Sequence, residues 1–588
     1  MAGALAANAA CVSAVLAADV ARADVRGVAD KILRVAIQQA IGKTPTPPTS
    51  RIEARRRARE AADKAVLVLR SEGYYDYAVS SDIGEGEAPE AFVTVTPGPR
   101  SKLSTLDIEW TGSAPDSAAE AAASRAMALK PGDPARAADV IAAEGRIVAT
   151  VRRLGYADAT AAPREVIVDH SDLSMHPTYK IWAGSRVRFD GIRLTTKGRT
   201  NRKWVERLAP WKAGQTYQPD AVAELERRLL ETGVYDSVTV ALAPASEAVN
   251  GERPVIVSVA DRPKGSVELG ASYSTAEGLG VNSRWLLYNR LGRADTITNT
   301  FQVAQIDSRL QTELSLPDWR KPQETLRLTG ALYRDVADAY NVSGVDVSGD
   351  LTHRYGKTSY LTFGVSVDGG VTDEKEQANF VTKSRLRRLA TLGFLAAFAL
   401  DRSNDPLNPT SGWRVDARAQ PTAALGDGSI AYLKSTFQTS GYLPLGASAA
   451  TVIAARMKLG VIVGGDIPLV PAPDRFYAGG GGSVRGFGYQ QVGPRFSDNS
   501  PQGGLSLFEG SLEIRRRLTE RWGVVGFLDA GAVGTQVTPD FSRPSVGVGV
   551  GVRYNLGFGP IRFDIATPLN PRPGDPNIQV YFSIGQSF

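Results

Sequence analysis

The stretch Gly479-Gly480-Gly481-Gly482-Ser483-Val484-Arg485-Gly486-Phe487-Gly488-Tyr489 decides how this chain is read. Glycines on both sides of a tip let a loop fold back sharply and bring its backbone close to other elements. At that tip stands Arg485, with an aromatic ring two residues on. Arginine is the side chain suited to a fixed, forked pairing with a carboxylate. A loop so constrained is more than a passive connector, and the segments that flank it read as strands.

Two of those flanking segments offer carboxylates. In Phe527-Leu528-Asp529-Ala530-Gly531, strand alternation puts Phe527, Asp529 and Gly531 on one face, opposite Leu528 and Ala530. In Gly510-Ser511-Leu512-Glu513-Ile514-Arg515, Ser511, Glu513 and Arg515 are co-facial, opposite Leu512 and Ile514. Alternation continues through Ser545 to Tyr554, with valine at 546, 548, 550 and 552 and a small or charged residue on every odd position. Ile561, Phe563 and Ile565 alternate with Arg562, Asp564 and Ala566, and Phe363, Val365 and Val367 with Gly364, Ser366 and Asp368. Each segment therefore has an apolar and a polar face. The texture holds from residue 264 to 588, about 325 residues. That is room for roughly 16 antiparallel strands of 9 to 11 residues with turns, as in a closed membrane barrel. A soluble sandwich shows the same alternation, but a single one of this size would be unusual. The turn Asp401 to Trp413, rich in Asp, Asn and Pro and closing on Gly412, is structural.

Upstream the period changes. Leu69-Arg70-Ser71-Glu72-Gly73-Tyr74-Tyr75-Asp76, Arg152-Arg153-Leu154-Gly155-Tyr156-Ala157-Asp158 and Leu230-Glu231-Thr232-Gly233-Val234-Tyr235-Asp236 recur with a period near 80 residues. Each follows a helical pattern, as with Val222, Leu225 and Leu229, and each glycine is placed to stop its helix. A strand comes next, such as Ser237 to Leu242. The expected organisation is three small α+β units, 24–98, 99–184 and 185–262, followed by the strand-rich region 264–588.

Bulk properties set limits. The chain of 588 residues carries 68 basic and 62 acidic groups, a balance of +6 spread along its length. The basic run Arg51 to Arg59 also contains Glu53 and reads as a solvated helix face, without aromatic platforms for nucleic acid. No internal run reaches the roughly 18 apolar residues of a spanning helix, a test to which barrel strands are invisible. Residues 1–23 read as an atypical signal peptide ending at Ala21-Arg22-Ala23, with no basic residue before Arg22. The single cysteine, Cys11, lies inside it.

The Val484-Arg485-Gly486-Phe487 segment resembles the signature of the BamA-like outer-membrane insertase superfamily, in which polypeptide-transport-associated (POTRA) repeats precede a β-barrel. Phe527-x-Asp529-x-Gly531 and Gly510-x-x-Glu513 resemble its strand motifs, and the Gly-Tyr-x-Asp helix stop is typical of its repeats. Val580, Phe582, Ile584 and the terminal Phe588 share one face of a last strand and resemble the assembly signal of outer-membrane proteins. Three repeats at this length look most like the TamA branch. The resemblance implies that the loop folds into the lumen, where Arg485 meets Asp529, Glu513 and Phe527. It implies an assembly factor in the outer membrane of a Gram-negative bacterium, with its repeats in the periplasm. Autotransporter-type clients would enter through a seam between the first strand, near Ser266 to Tyr273, and the last, near Val580 to Phe588. The partners implied are unfolded outer-membrane proteins, a TamB-like inner-membrane-anchored protein and outer-membrane lipid. A two-partner-secretion-like polypeptide pore is the alternative.

Enzyme motifs fail. Gly42-Lys43-Thr44 lacks the first glycine of a phosphate loop, since position 37 is Ile. Gly481-Gly482-Ser483-Val484-Arg485 lacks the closing glycine of a nucleophile elbow. His170, His176 and His353 are too scattered for a metal site. No catalytic residue, metal or cofactor is expected.

Overall fold

Alanine and leucine at helical spacing define the first packed layer. The computed structural model describes residues 20–588 except 86–88, 197, 275–277, 357, 379–380, 447–448, 557–559, 585 and 587–588. In the first repeat, α1 (Lys31–Ile41) and α2 (Arg51–Ser71) cover a sheet of Asp24–Arg26, Ala91–Thr96 and Ala78–Ile83, with Ala91–Thr96 central. Helix α2 buries Ala54, Ala58, Ala61, Ala65 and Leu69 and turns most of its arginines to solvent. Its start is capped from both sides: Ser50 Oγ accepts the Glu53 N–H at 3.2 Å, and the Glu53 carboxylate accepts the N–H of Thr49, the residue before the cap, at 2.9 Å. The Thr49 backbone and hydroxyl, with Arg57, hold Glu53 down at about 2.

The second repeat packs α3 (Ser117–Met127) and α4 (Ala137–Arg153) on a sheet centred on Ser174–Trp182. In the third, α5 (Arg202–Leu208) and α6 (Pro219–Glu231) accompany Arg188–Leu194, Glu252–Asp261 and Tyr235–Leu242, with Glu252–Asp261 central. All three share the order strand, two helices, strands, and in each the last strand is the middle of its sheet. Gly73, Gly155 and Gly233 follow α2, α4 and α6 at φ of 89°, 103° and 72°, the left-handed conformation that ends a helix. Val20–Ala21 pairs with Lys43–Thr44, and Ala23 is buried. Residues 1–19, most of the expected signal peptide, lie outside the described residues.

The chain divides into two compact units. One holds residues up to Arg193 with Pro210–Glu224 and Val240–Ile256; the other holds Leu194–Ala209, Leu225–Thr239 and everything from Val257. The second contains a sheet of 16 strands, each antiparallel to the next. They are β1 (Gly265–Ser274), β2 (Gly278–Tyr288), β3 (Thr296–Ala304), β4 (Asp307–Leu316), β5 (Glu324–Val336), β6 (Tyr340–Tyr355), β7 (Ser359–Ala378) and β8 (Val381–Asp401). There follow β9 (Gly412–Gly426), β10 (Ile430–Leu445), β11 (Thr451–Val463), β12 (Ser506–Arg517), β13 (Trp522–Gly534), β14 (Ser545–Asn555), β15 (Pro560–Pro568) and β16 (Gln579–Ile584). The sheet curls until β16 lies beside β1, yet among the described residues the ladder order runs from β1 to β16 and does not return.

Alternation sorts the two faces. Val267, Leu269, Phe301, Leu332, Val347, Phe363, Phe394, Ile514, Val550, Phe563 and Phe582 are exposed on the outer face, an apolar surface far too continuous for a water-facing sheet. Glu374, Arg387, Arg456, Glu509, Glu513, Asp529 and Asp564 are buried on the inner one. Strands β5 to β13 all exceed the expected 9 to 11 residues, most of all β7 and β8 at 20 and 21, and β16 falls short at 6. The turn from residue 402 to 411 is built as its composition suggests: Asn404 Oδ1 accepts the N–H groups of Thr410 and Ser411, and Asp405 Oδ1 those of Leu407 and Asn408.

Candidate functional site

Between β11 and β12 the chain runs from residue 464 to 505 along the inner face of the sheet. Isolated bridges Phe476↔Gly504 and Ala478↔Val492 fold this loop back on itself. Gly479 and Gly480 adopt φ of 108° and 103°, and a Cβ on Gly479 would lie 2.5 Å from the Gly488 carbonyl oxygen. Only glycine permits that reversal. It drives Val484, Arg485 and Phe487 into the interior, each no more than 1% exposed.

Arg485 meets three strands at once. Its Nε donates to Asp529 Oδ2 at 2.6 Å and its Nη2 to Asp529 Oδ1 at 2.9 Å, a bidentate fork. Its backbone N–H also reaches Asp529 Oδ2, at 3.1 Å. Nη1 lies 2.8 Å from Glu513 Oε1 on β12 and 3.2 Å from Asp564 Oδ2 on β15. The guanidinium carbon sits 3.4 Å over the centroid of the Phe527 ring, a cation–π contact. Two further arginines share the acids: Arg515 Nε is 2.8 Å from Glu513 Oε2, and Arg553 pairs with Asp564. A guanidinium with five donors in a plane is the one side chain able to serve three carboxylates while lying flat on an aromatic ring.

The floor beneath is glycine. On β14, Cβ atoms at Gly547, Gly549 and Gly551 would lie 1.8 Å from the Arg485 carbonyl oxygen, 2.4 Å from the Phe527 ring and 1.9 Å from Asp564 Oδ1. The inward positions of the valine–glycine stretch are therefore occupied by the loop and its partners. Beside Arg485, Ser483 Oγ donates to Glu509 Oε1 at 2.5 Å, and Arg456 Nη1 donates to the Gly482 carbonyl at 3.0 Å.

Another anchor grips the same loop from the far side. Glu374 on β7 accepts the Ala472 N–H at 2.8 Å and pairs with Arg387 on β8 at 3.0 Å. Arg387 in turn donates to the Leu469 carbonyl at 3.0 Å. Beside the loop, the concave face keeps a cavity of about 470 Å³ lined by Asp335, Asp346, Asp350 and Asp368, and one of about 620 Å³ lined by Arg418, Lys434 and Lys458.

Arg485, Asp529, Glu513 and Phe527 are thus brought together, and Gly486 passes over the sheet with a Cβ position 2.9 Å from Thr567 backbone atoms. Val580 and Phe582 lie on the outer side of β16, away from Arg485; the Ile584 side chain and Phe588 lie outside the described residues. Sequence reasoning missed Asp564 and Tyr581. Asp564 had a signal, as an acid on the polar face of an otherwise apolar strand. Tyr581 had only its place between two outward residues. The second anchor, Glu374 with Arg387, carried none.

The Omp85 superfamily domain matches residues 289–588. The outer membrane protein assembly factor BamA of Neorickettsia risticii is 24% identical over 430 residues, covering 70% of this chain and 56% of that protein, so the chain spans little more than half of its relative's length. The mouse sorting and assembly machinery component 50 homolog is 26% identical over 366 residues, 58% of this chain and 72% of that one. The crystal structure of BamA from Haemophilus ducreyi lacking POTRA domains 1–3 superposes with a TM-score of 0.70 at 19% identity, covering 82% of this chain and 99% of that one, a likeness of fold. With just over half its length matched by that domain, the chain belongs to the Omp85 superfamily.

Proposed function

We propose that this protein assists the insertion of β-barrel clients into the outer membrane of a Gram-negative bacterium, through a seam between β1 and β16. The observation that carries this reading is the edge. The strand order ends at β16, and β1 lies beside it as the other terminus of the same sheet. An edge strand presents backbone donors and acceptors to an incoming strand, and β-augmentation uses them as a template. The apolar outer face suits a closed sheet embedded in lipid. The three strand–helix–helix–strand units act as POTRA repeats in the periplasm, handing on unfolded clients and docking a TamB-like partner. Arg485 is a structural lock on the loop, with no catalytic step. Three repeats favour the TamA branch, with autotransporter-type clients.

The test is reconstitution. Purified protein in liposomes is expected to speed insertion of an unfolded autotransporter barrel, read by protease protection, by about tenfold or more over empty liposomes. A factor of ten corresponds to roughly 1.4 kcal/mol. A disulfide joining β1 to β16 should abolish the gain while the barrel still migrates as folded. Insertion that proceeds with the seam locked would sink the seam model. Steady ion conductance without acceleration would favour a secretion pore through the inner cavities.

A further inference from the structure

The last strand is held from inside. β16 has a ladder with β15 over Ile561–Ala566, the shortest between neighbouring strands of the 16-strand sheet among the described residues. Its inward residue Tyr581 is 3% exposed and packs in one cluster with Val525, Phe527 and Ala566. The Tyr581 hydroxyl accepts the Gly486 N–H at 3.0 Å and donates to the Phe487 carbonyl at 3.3 Å. Its ring also fills the space beside Gly481, where a Cβ would stand 2.9 Å away. Phe527, against which it packs, is the ring beneath the Arg485 guanidinium. The terminal strand and the loop tip therefore share two hydrogen bonds and one aromatic neighbour.

The same loop holds the turn that leads into β16. Arg495 pairs with Asp575, Arg572 Nη1 donates to the Gly493 carbonyl at 2.7 Å, and Asn499 Nδ2 donates to the Pro573 carbonyl at 3.3 Å. The grip thus acts at two heights, once at Tyr581 and once at the turn before it.

We propose that Tyr581 is a positioning residue that fastens β16 to the inward loop, so that strand and loop move as one body. Its functional meaning rests on the seam reading above. The seam then opens by β1 leaving β16, or by β16 and the loop leaving together. β16 does not swing away alone while Arg485 is seated. Tyr581 lies on the edge strand itself and bonds the backbone of the two residues that follow Arg485, which makes it a direct physical route from lock to edge.

Amide hydrogen exchange on the full chain in lipid nanodiscs tests this, comparing wild type, Tyr581→Phe, Arg485→Lys and the double variant. Tyr581→Phe keeps the ring and removes only the hydroxyl. It is expected to speed exchange of both the β16 amides and the Gly486 amide by about tenfold, the usual scale of one buried hydrogen bond, with the β4–β5 ladder unchanged. Arg485→Lys disturbs the lock without touching β16. It should speed β16 when Tyr581 is present and add little when it is Phe. Acceleration confined to Gly486, or simple additivity in the double variant, overturns the coupling. Client insertion measured on the same samples separates the two readings. Unchanged β16 exchange with intact insertion removes the coupling and leaves the insertase, whereas coupled exchange without insertion does the reverse.

Discussion

Arg485→Ala is expected to destabilise the folded sheet by about 3–5 kcal/mol, the range for removing one partner of a buried ion pair. The side chains of Glu513, Asp529 and Asp564 are all fully buried, and Arg485 is within 3.2 Å of each. Glu513 keeps Arg515 and Asp564 keeps Arg553 when Arg485 is lost. Asp529 keeps no guanidinium among the described residues, so the cost falls mainly on it. Arg485→Lys should recover only part, since an ammonium cannot reproduce the fork on Asp529. Asp529→Asn combined with Arg485→Ala should cost less than the sum of the two, because the second change removes the charge that the first one strands. Urea midpoints of the refolded protein in detergent, followed by its heat-modifiable mobility, measure all of these. A shift below about 1 kcal/mol for Arg485→Ala, the size of an exposed pair, would show that the loop does not hold this charge in solution.

Gly547→Val attacks the same contact from the opposite side and is expected to expel the loop tip. The added Cβ would meet the Arg485 carbonyl oxygen at 1.8 Å and its carbon at 3.0 Å, both backbone atoms with no flexible end to yield. Overpacking usually costs about 1–3 kcal/mol. Here relief requires the loop to leave, so the penalty should approach that of Arg485→Ala. Trypsin offers a direct reading, because Arg485 is 1% exposed in the folded protein. Cleavage after Arg485 should become at least about tenfold faster in Gly547→Val, in line with an opening easier by roughly 1.4 kcal/mol or more. Gly526→Ala on the adjacent β13 is the control, since nothing lies within 4 Å of its Cβ position. Equal cleavage in both variants would mean that the loop never rests on β14.

How far these residues could be read without coordinates follows from the range of each contact. Alternation is local, so the inward faces of β12, β13 and β14 and the membership of Glu513, Phe527 and Asp529 were legible. The count of about 16 strands was legible too, because total length divided by a strand with its turn is a local quantity, and the sheet has 16. The length of β7 and β8 was not, since the expectation took every strand to be as long as a bilayer requires, while these reach beyond to hold residues 497 and 498 of the loop. Asp564 and Tyr581 join the site through register: Asp564 stands opposite Gly551 on one side and Tyr581 on the other. Register between strands is set by turns and by partners distant in sequence, which no window along the chain contains. Glu374 and Arg387 lie 98 and 82 residues before their loop partners, and only the curl of the sheet brings them to Ala472 and Leu469.

The run of alternating valine and glycine in β14 carries a hazard of its own. A slip of two residues against β13 would keep the valines outward and the glycines inward, so the pattern by itself tolerates several alignments. Glycine offers no side chain with which to resist. What distinguishes the observed alignment is cargo on the glycines: the Arg485 carbonyl over Gly547, the Phe527 ring over Gly549 and the Asp564 carboxylate over Gly551. A seated loop is thus compatible with one frame only, and it is expected to act as a jig for the closing strands during folding.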